Sequence, residues 1–248
     1  MGARKNAHGE AYFFLHRNQR IFRISHAHWD QPEPVRFLVD YPGARSQMIE
    51  SLRAEVRSFK IASYLGMAAC LSSARLLRRE YPWGWKDPRN TYTLPLWLEV
   101  FPDAKIVQIR RNGVDVANSL RVREQARPGQ LASELFSCRC STLEGAFGLW
   151  LEYERMAMQV TDCLPESQVF RLIYEDLVAA PELYIQQIAR FLEIQFNPVD
   201  VRRAVRIVSS EGSHRFLQDD ELKAFYMEKR KHPFMARWAQ SACPEPSS

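Results

Sequence analysis

A chain of 248 residues, 46% hydrophobic and 12% aromatic, is long enough to bury a sizeable core and too apolar for intrinsic disorder. Its 34 Lys and Arg against 29 Asp and Glu leave a net charge of +5, a mild excess that suits a small anionic ligand and falls short of a nucleic-acid-binding surface. Five cysteines, an odd number scattered through helical-looking segments, point to reduced thiols rather than a disulfide frame, and no stretch approaches the roughly 20 apolar residues of a membrane span.

The opening MGARKNAHGE has no apolar signal-peptide run, so a soluble, cytoplasmic protein with no membrane or nucleic-acid partner is expected. Ala11 to Ile24 reads as an amphipathic helix with Phe13, Phe14, Arg17 and Ile21 at helical spacings. Glu10, at the head of that helix, is either a helix-terminus charge or a general base. Ser25 to Pro42 is Pro-rich and reads as a loop; its His26 and His28 lack a third ligand at sensible spacing, so packed or surface histidines outweigh a metal site. Two helices are expected next, over Arg45 to Arg57 and Phe59 to Arg79.

Trp83 to Leu120 is the densest stretch: a short strand near Trp83, a helix, a buried strand and the start of another helix. Ala104 to Ile109 is short, apolar and β-branched, and closes on Asn112-Gly113, which marks a strand running into a turn. Val114 to Leu120 has helical periodicity, with Asp115 in its first turn and Ser119 on the same face. Arg111 therefore stands where strand becomes helix. An arginine there, with free helix N–H groups and a hydroxyl, makes an anion site; the other reading is a capped turn with solvated arginines.

Cys138 and Cys140 form C-x-C with no second pair, a poor zinc pattern, and no metal is expected. Leu143 to Leu164 is the clearest helix, stopped by Pro165, and Val169 to Tyr174 is the second buried strand. A helix follows from Pro181 to Leu192, proline in its first turn. Helical segments from Val199 and from Glu221 to Lys231 flank the polar loop Ser209 to Arg215, and 241–248 reads as a frayed tail. Strands separated by helices of this length pair in parallel, so the fold class is α/β: one domain over 1–248, an open parallel sheet flanked by helices, with its ligand at the carboxyl ends of the strands.

Lys86-Asp87-Pro88-Arg89, Phe101-Pro102-Asp103-Ala104-Lys105, Arg111 with Ser119, Tyr174-Glu175-Asp176-Leu177 and Phe191-Leu192, in that order, resemble the sulfotransferases that use 3′-phosphoadenosine 5′-phosphosulfate, a family with a P-loop nucleotide-binding fold. The resemblance runs from about Glu10 to about Arg237. It implies transfer of a sulfuryl group from that nucleotide to a hydroxyl or amine of a small-molecule or peptidyl acceptor, without a metal. It also implies that Arg111 and Ser119 hold the 3′-phosphate, that Tyr174 contacts adenine, and that Lys86 is catalytic. Glu10 resembles the catalytic carboxylate of the tyrosylprotein branch; His26 and His28 are the alternative bases, as in cytosolic members. Arg215 matches the nucleotide-covering loop by position only. No strand, Lys/Arg-Ser-Gly-Thr-Thr loop and helix precede Glu10, so the fold is expected to lack its first strand-loop-helix and the chain to be an inactive truncated form or one that starts further upstream. The other readings are a non-catalytic nucleotide-binding or interaction remnant, or a P-loop kinase, which the lack of Gly-Lys-Ser/Thr disfavours.

Overall fold

The periodicity of residues 11–24 becomes helix α1, Tyr12–Ile24, in a computed structural model that describes residues 11–61, 64, 83–126, 136–208 and 214–239. Glu10, most of the expected helix from Phe59 to Arg79, most of the Ser209 to Arg215 loop and the tail 241–248 lie outside the described residues. The chain divides into two compact units, Met1–Ala104 and Lys105–Ser248.

In the first unit, α1 buries Phe13, Phe14, Leu15, Asn18, Ile21 and Phe22, the stripe that i, i+3/i+4 spacing dictates. Phe14 lies face to face with Trp85, ring centroids 3.8 Å apart at 5°, and meets Tyr64 and Trp97 edge-on. The Pro-rich stretch expected to be a loop contains α2, Val35–Asp40, and α3 starts at Pro42 rather than Arg45 and runs to Val56. Pro34 and Pro42 stand at the helix starts, where the N–H that proline lacks has no intrahelical partner to lose. Of the helix expected from Phe59, the described part is a 3-10 turn, Phe59–Ile61, and Tyr64, which is helical.

The short strand expected near Trp83 is not one: residues 83–87 have no ladder partner among the described residues. They are held by side chains, through the rings of Trp83 and Trp85 on Phe14 and through the Tyr64 hydroxyl, which donates to the Gly84 carbonyl. Helix α4, Asn90–Val100, follows, with Tyr92, Thr93, Leu96 and Trp97 buried.

The second unit carries the sheet. Strands β1, Ile106–Arg110, and β2, Val169–Ile173, pair in parallel, from Ile106 opposite Val169 to Arg110 opposite Ile173. Between them come α5, Gly113–Gln125, and α6, Leu143–Thr161, which pack on each other; the crossover is what a parallel pair requires. Beyond β2 run α7, Tyr174–Ala179, α8, Pro181–Leu192, α9, Pro198–Ile207, α10, Asp220–Lys229, and α11, Pro233–Ala239.

Strand alternation sends side chains to both faces of the pair. On one face Arg110 reaches Glu154 of α6 at 2.8 Å and the Thr161 hydroxyl donates to Gln108 at 3.2 Å. On the other, Phe170 packs on Phe191 of α8, 5.5 Å between centroids. The fold is α/β and helix-rich, and its parallel sheet has two strands among the described residues.

Candidate functional site

The turn after β1 is built by Asn112, which is fully buried. Its side-chain oxygen accepts the N–H groups of Val114 at 2.8 Å and Asp115 at 3.2 Å, capping α5, and its own N–H donates to Glu175 at 3.1 Å. The helix N–H groups expected to be available to an anion are thus partly occupied by the chain itself, and the positive charge beside this turn comes from side chains. Gly113 is required by packing: a Cβ there would stand 2.6 Å from the Trp150 ring of α6. That close approach fixes where α5 begins.

Two adjacent arginines leave β1 in opposite directions. Arg110 is engaged with Glu154, a pair in which both side chains are about nine-tenths buried; burial still pushes the Glu154 carboxyl up, against the pull of the Arg110 charge. Arg111 turns the other way, its guanidinium carbon 4.9 Å from the centre of the Tyr174 ring at the start of α7. Arg111, Asp115, Ser119 and Arg215 line one cavity of about 120 Å³. That is below the roughly 300 Å³ at which pockets accept a whole small ligand, and suits one tetrahedral oxyanion group.

The structure therefore brings together four of the six residues singled out in the sequence: Arg111, Ser119 and Arg215 around the cavity, and Tyr174 against Arg111. Ser119 and Arg215 are exposed at its mouth and Asp115 is buried. Burial pushes the Asp115 carboxyl up, while the Phe216 N–H and the Arg111 charge pull it down.

Lys86 is an exposed residue of the first unit, in the turn before α4. Its neighbour Asp87, 4% exposed, fixes that turn: one oxygen accepts the Arg89 N–H and Nε at 3.0 Å each, the other the Asn18 amide at 2.9 Å. Asn18 also donates to Asn90 at 2.8 Å, and its oxygen accepts from Thr93 and from the Trp97 indole. His28 Nδ1 contacts Asp30, and His26 adopts a left-handed backbone at φ 53°. Sequence reasoning passed over Asn18, whose signal was a polar residue amid the apolar face of α1, and over Glu175 and Asn112, which it read only as parts of motifs.

A second cavity of about 370 Å³ lies in the first unit, lined by Arg45, Arg53 and Glu99 among others. Its arginines already bond Glu99, Arg45 to the carboxylate at 2.6 Å and Arg53 to the backbone carbonyl at 2.7 Å, so its size does not make it the better candidate. No cluster of metal-ligating side chains and no helix long and apolar enough to cross a membrane occur among the described residues. Cys138, Cys140 and Cys163 are free thiols.

Fold and pocket together define an α/β protein with a two-arginine pocket at the carboxyl end of a parallel strand. The model of the Sulfotransferase family matches residues 3–198, well over half of the chain. The chain belongs to that family, whose reaction is sulfuryl transfer. No curated protein and no solved structure matches it.

Proposed function

We propose that the protein transfers the sulfuryl group of 3′-phosphoadenosine 5′-phosphosulfate to a hydroxyl or amine acceptor, with the donor's 3′-phosphate held by Arg111 and Ser119. The observation that supports this reading is the meeting of Arg111, Ser119 and Arg215 around one cavity sized for an oxyanion group. A guanidinium fork suits a phosphate better than any single N–H donor does, and Tyr174 stacked on Arg111 offers an aromatic surface beside it for the adenine.

In the reaction the acceptor oxygen or nitrogen bonds to sulfur as the bridging S–O bond breaks, and adenosine 3′,5′-bisphosphate leaves. Glu10, or His26 or His28 in its place, takes the acceptor's proton. Lys86 neutralises charge growing on the departing phosphate oxygen. The donor supplies the activated sulfuryl group, and a single ammonium suffices because a sulfonate carries less charge than a phosphoryl group.

Calorimetry on the full chain tests the reading, with adenosine 3′,5′-bisphosphate against ATP. The bisphosphate should bind tighter, and Arg111→Ala should cost about 2 to 4 kcal/mol of that binding, the range for a lost bidentate, charge-assisted contact. Tighter binding of ATP, or unchanged affinity in Arg111→Ala, refutes it.

A further inference from the structure

Asp115 is an odd occupant of a pocket for an anion. It is 2% exposed, stands in the first turn of α5 and lines the same cavity as Arg111 and Arg215, where an ionised carboxylate repels an incoming phosphate. Helix-dipole stabilisation accounts for an acidic residue at a helix N-terminus at the surface, but a buried carboxylate must be matched by hydrogen bonds.

That match comes from 101 residues away: Asp115 Oδ1 accepts the backbone N–H of Phe216 at 3.1 Å. Phe216 is the residue after Arg215, in the 3-10 turn Arg215–Leu217 that follows His214, itself left-handed at φ 57°. The far side of the turn is fixed as well, since Phe216 is fully buried and stacks on Tyr226 of α10 with centroids 4.4 Å apart. Between the carboxylate and this stack the backbone of the turn has little freedom, and Arg215 is the one member of the pocket supplied by the turn.

We infer that Asp115 is a positioning residue of the pocket: its carboxylate fastens the turn that carries Arg215 and so holds that guanidinium at the cavity. This deepens the proposed function and rests on its assignment of the cavity to the nucleotide's 3′-phosphate. Repulsion of the phosphate by Asp115 is accepted in exchange for a second, placed cation. What the tether needs is an acceptor oxygen, which an asparagine also supplies; what the phosphate resents is the charge, which an asparagine lacks.

The two substitutions therefore act in opposite directions. In calorimetry with adenosine 3′,5′-bisphosphate on the full chain, Asp115→Ala should weaken binding about tenfold, whereas Asp115→Asn should bind as tightly as the parent protein or tighter. In an Arg215→Ala background, Asp115→Ala should cost no further affinity, because the residue it positions is gone. A merely structural role would leave the loss intact in that background. Parent-like binding by Asp115→Ala, an equal loss in the Arg215→Ala background, or a tenfold loss in Asp115→Asn each overturns the inference. If Asp115→Ala does not fold, Asp115→Asn still tests the inference: tighter binding than the parent supports it and a tenfold loss overturns it. An Arg111→Ala protein that binds normally defeats the proposed function instead, so the two failures are distinguishable.

Discussion

Replacing Asn18 by leucine should do more damage than any other single exchange on the buried face of α1. Asn18 is fully buried, and all four hydrogen-bonding capacities of its amide are used: two donors to Asp87 and Asn90, two acceptor positions to Thr93 and Trp97. The indole N–H of Trp97 can only donate, which fixes which end of the amide faces it. In the leucine variant Thr93 keeps the Arg89 carbonyl at 3.2 Å and Asn90 keeps the Trp85 indole at 3.0 Å. The Trp97 N–H and one Asp87 oxygen lose these bonds inside the protein. Leaving such groups unsatisfied costs about 1 to 3 kcal/mol each, and more for a charged one, while the added apolar burial returns about 1. A net loss of about 3 to 5 kcal/mol follows, a large part of the stability of an ordinary domain. Urea unfolding, with amide hydrogen exchange of residues 12–24 as the readout, measures it. Asn18→Asp should be nearly as harmful at neutral pH, because it sets a second carboxylate against Asp87, and should recover on acidification as the new group gains a proton to donate. A leucine variant within 1 kcal/mol of the parent would show that the network does not hold α1 to the Lys86 turn.

Gly113→Ala, helpful to an isolated helix, should here destabilise the second unit by about 1 to 3 kcal/mol, because the added methyl group would sit 2.6 Å from the Trp150 ring; a thermal melt that rises instead refutes the packing argument. Acidification should affect the two units in opposite senses through carboxyls whose pKa values are shifted in opposite directions. Burial alone would raise Glu55, but hydrogen bonds and charge from Arg20 and Arg17 hold it below the usual carboxylate range, so its stabilising contribution is present above the unfolded value and is lost as pH falls through the folded one. Glu154 and Asp115 are raised by burial, so their contribution favours folding below the unfolded value and is lost as pH rises through the folded ones. Hydrogen exchange corrected for intrinsic rates, at neutral pH and at a pH below the ordinary carboxylate range, should show residues 12–56 losing protection relative to 106–126 and 136–173; the reverse order, or no change in that difference on Glu55→Gln, would contradict the assignment.

Local pattern carried the chain a long way. The Ile106 strand, the turn at Asn112 and the helix bearing Ser119 follow from β-branched run, capping residue and periodicity, each settled within a few residues. Arg111, Ser119 and Arg215 could be named as a group only through the family resemblance, since Arg215 arrives from a turn about a hundred residues away. Nothing local separates Arg110 from Arg111, yet alternation about a strand sends one to Glu154 and the other to the pocket. The Asn18 and Glu175 contacts were illegible because their partners lie 63 to 79 residues distant, and a buried amide is recognised by its partners rather than by its neighbours. The Pro-rich stretch misled for the opposite reason: proline ends one helix and begins the next with equal ease.

The aromatic stack of the first unit has an optical consequence. Trp83 and Trp85 are 5.9 Å apart between ring centroids, and Trp85 and Trp97 5.3 Å, so their indole transitions mix and rotate polarised light as a coupled set. In the second unit Trp150 packs on Phe147, a ring that absorbs weakly at the indole wavelengths. Near-ultraviolet circular dichroism of the unlabelled protein should therefore carry a couplet that belongs to the first unit, and its loss reports the order of those three rings before any change in helix content is visible.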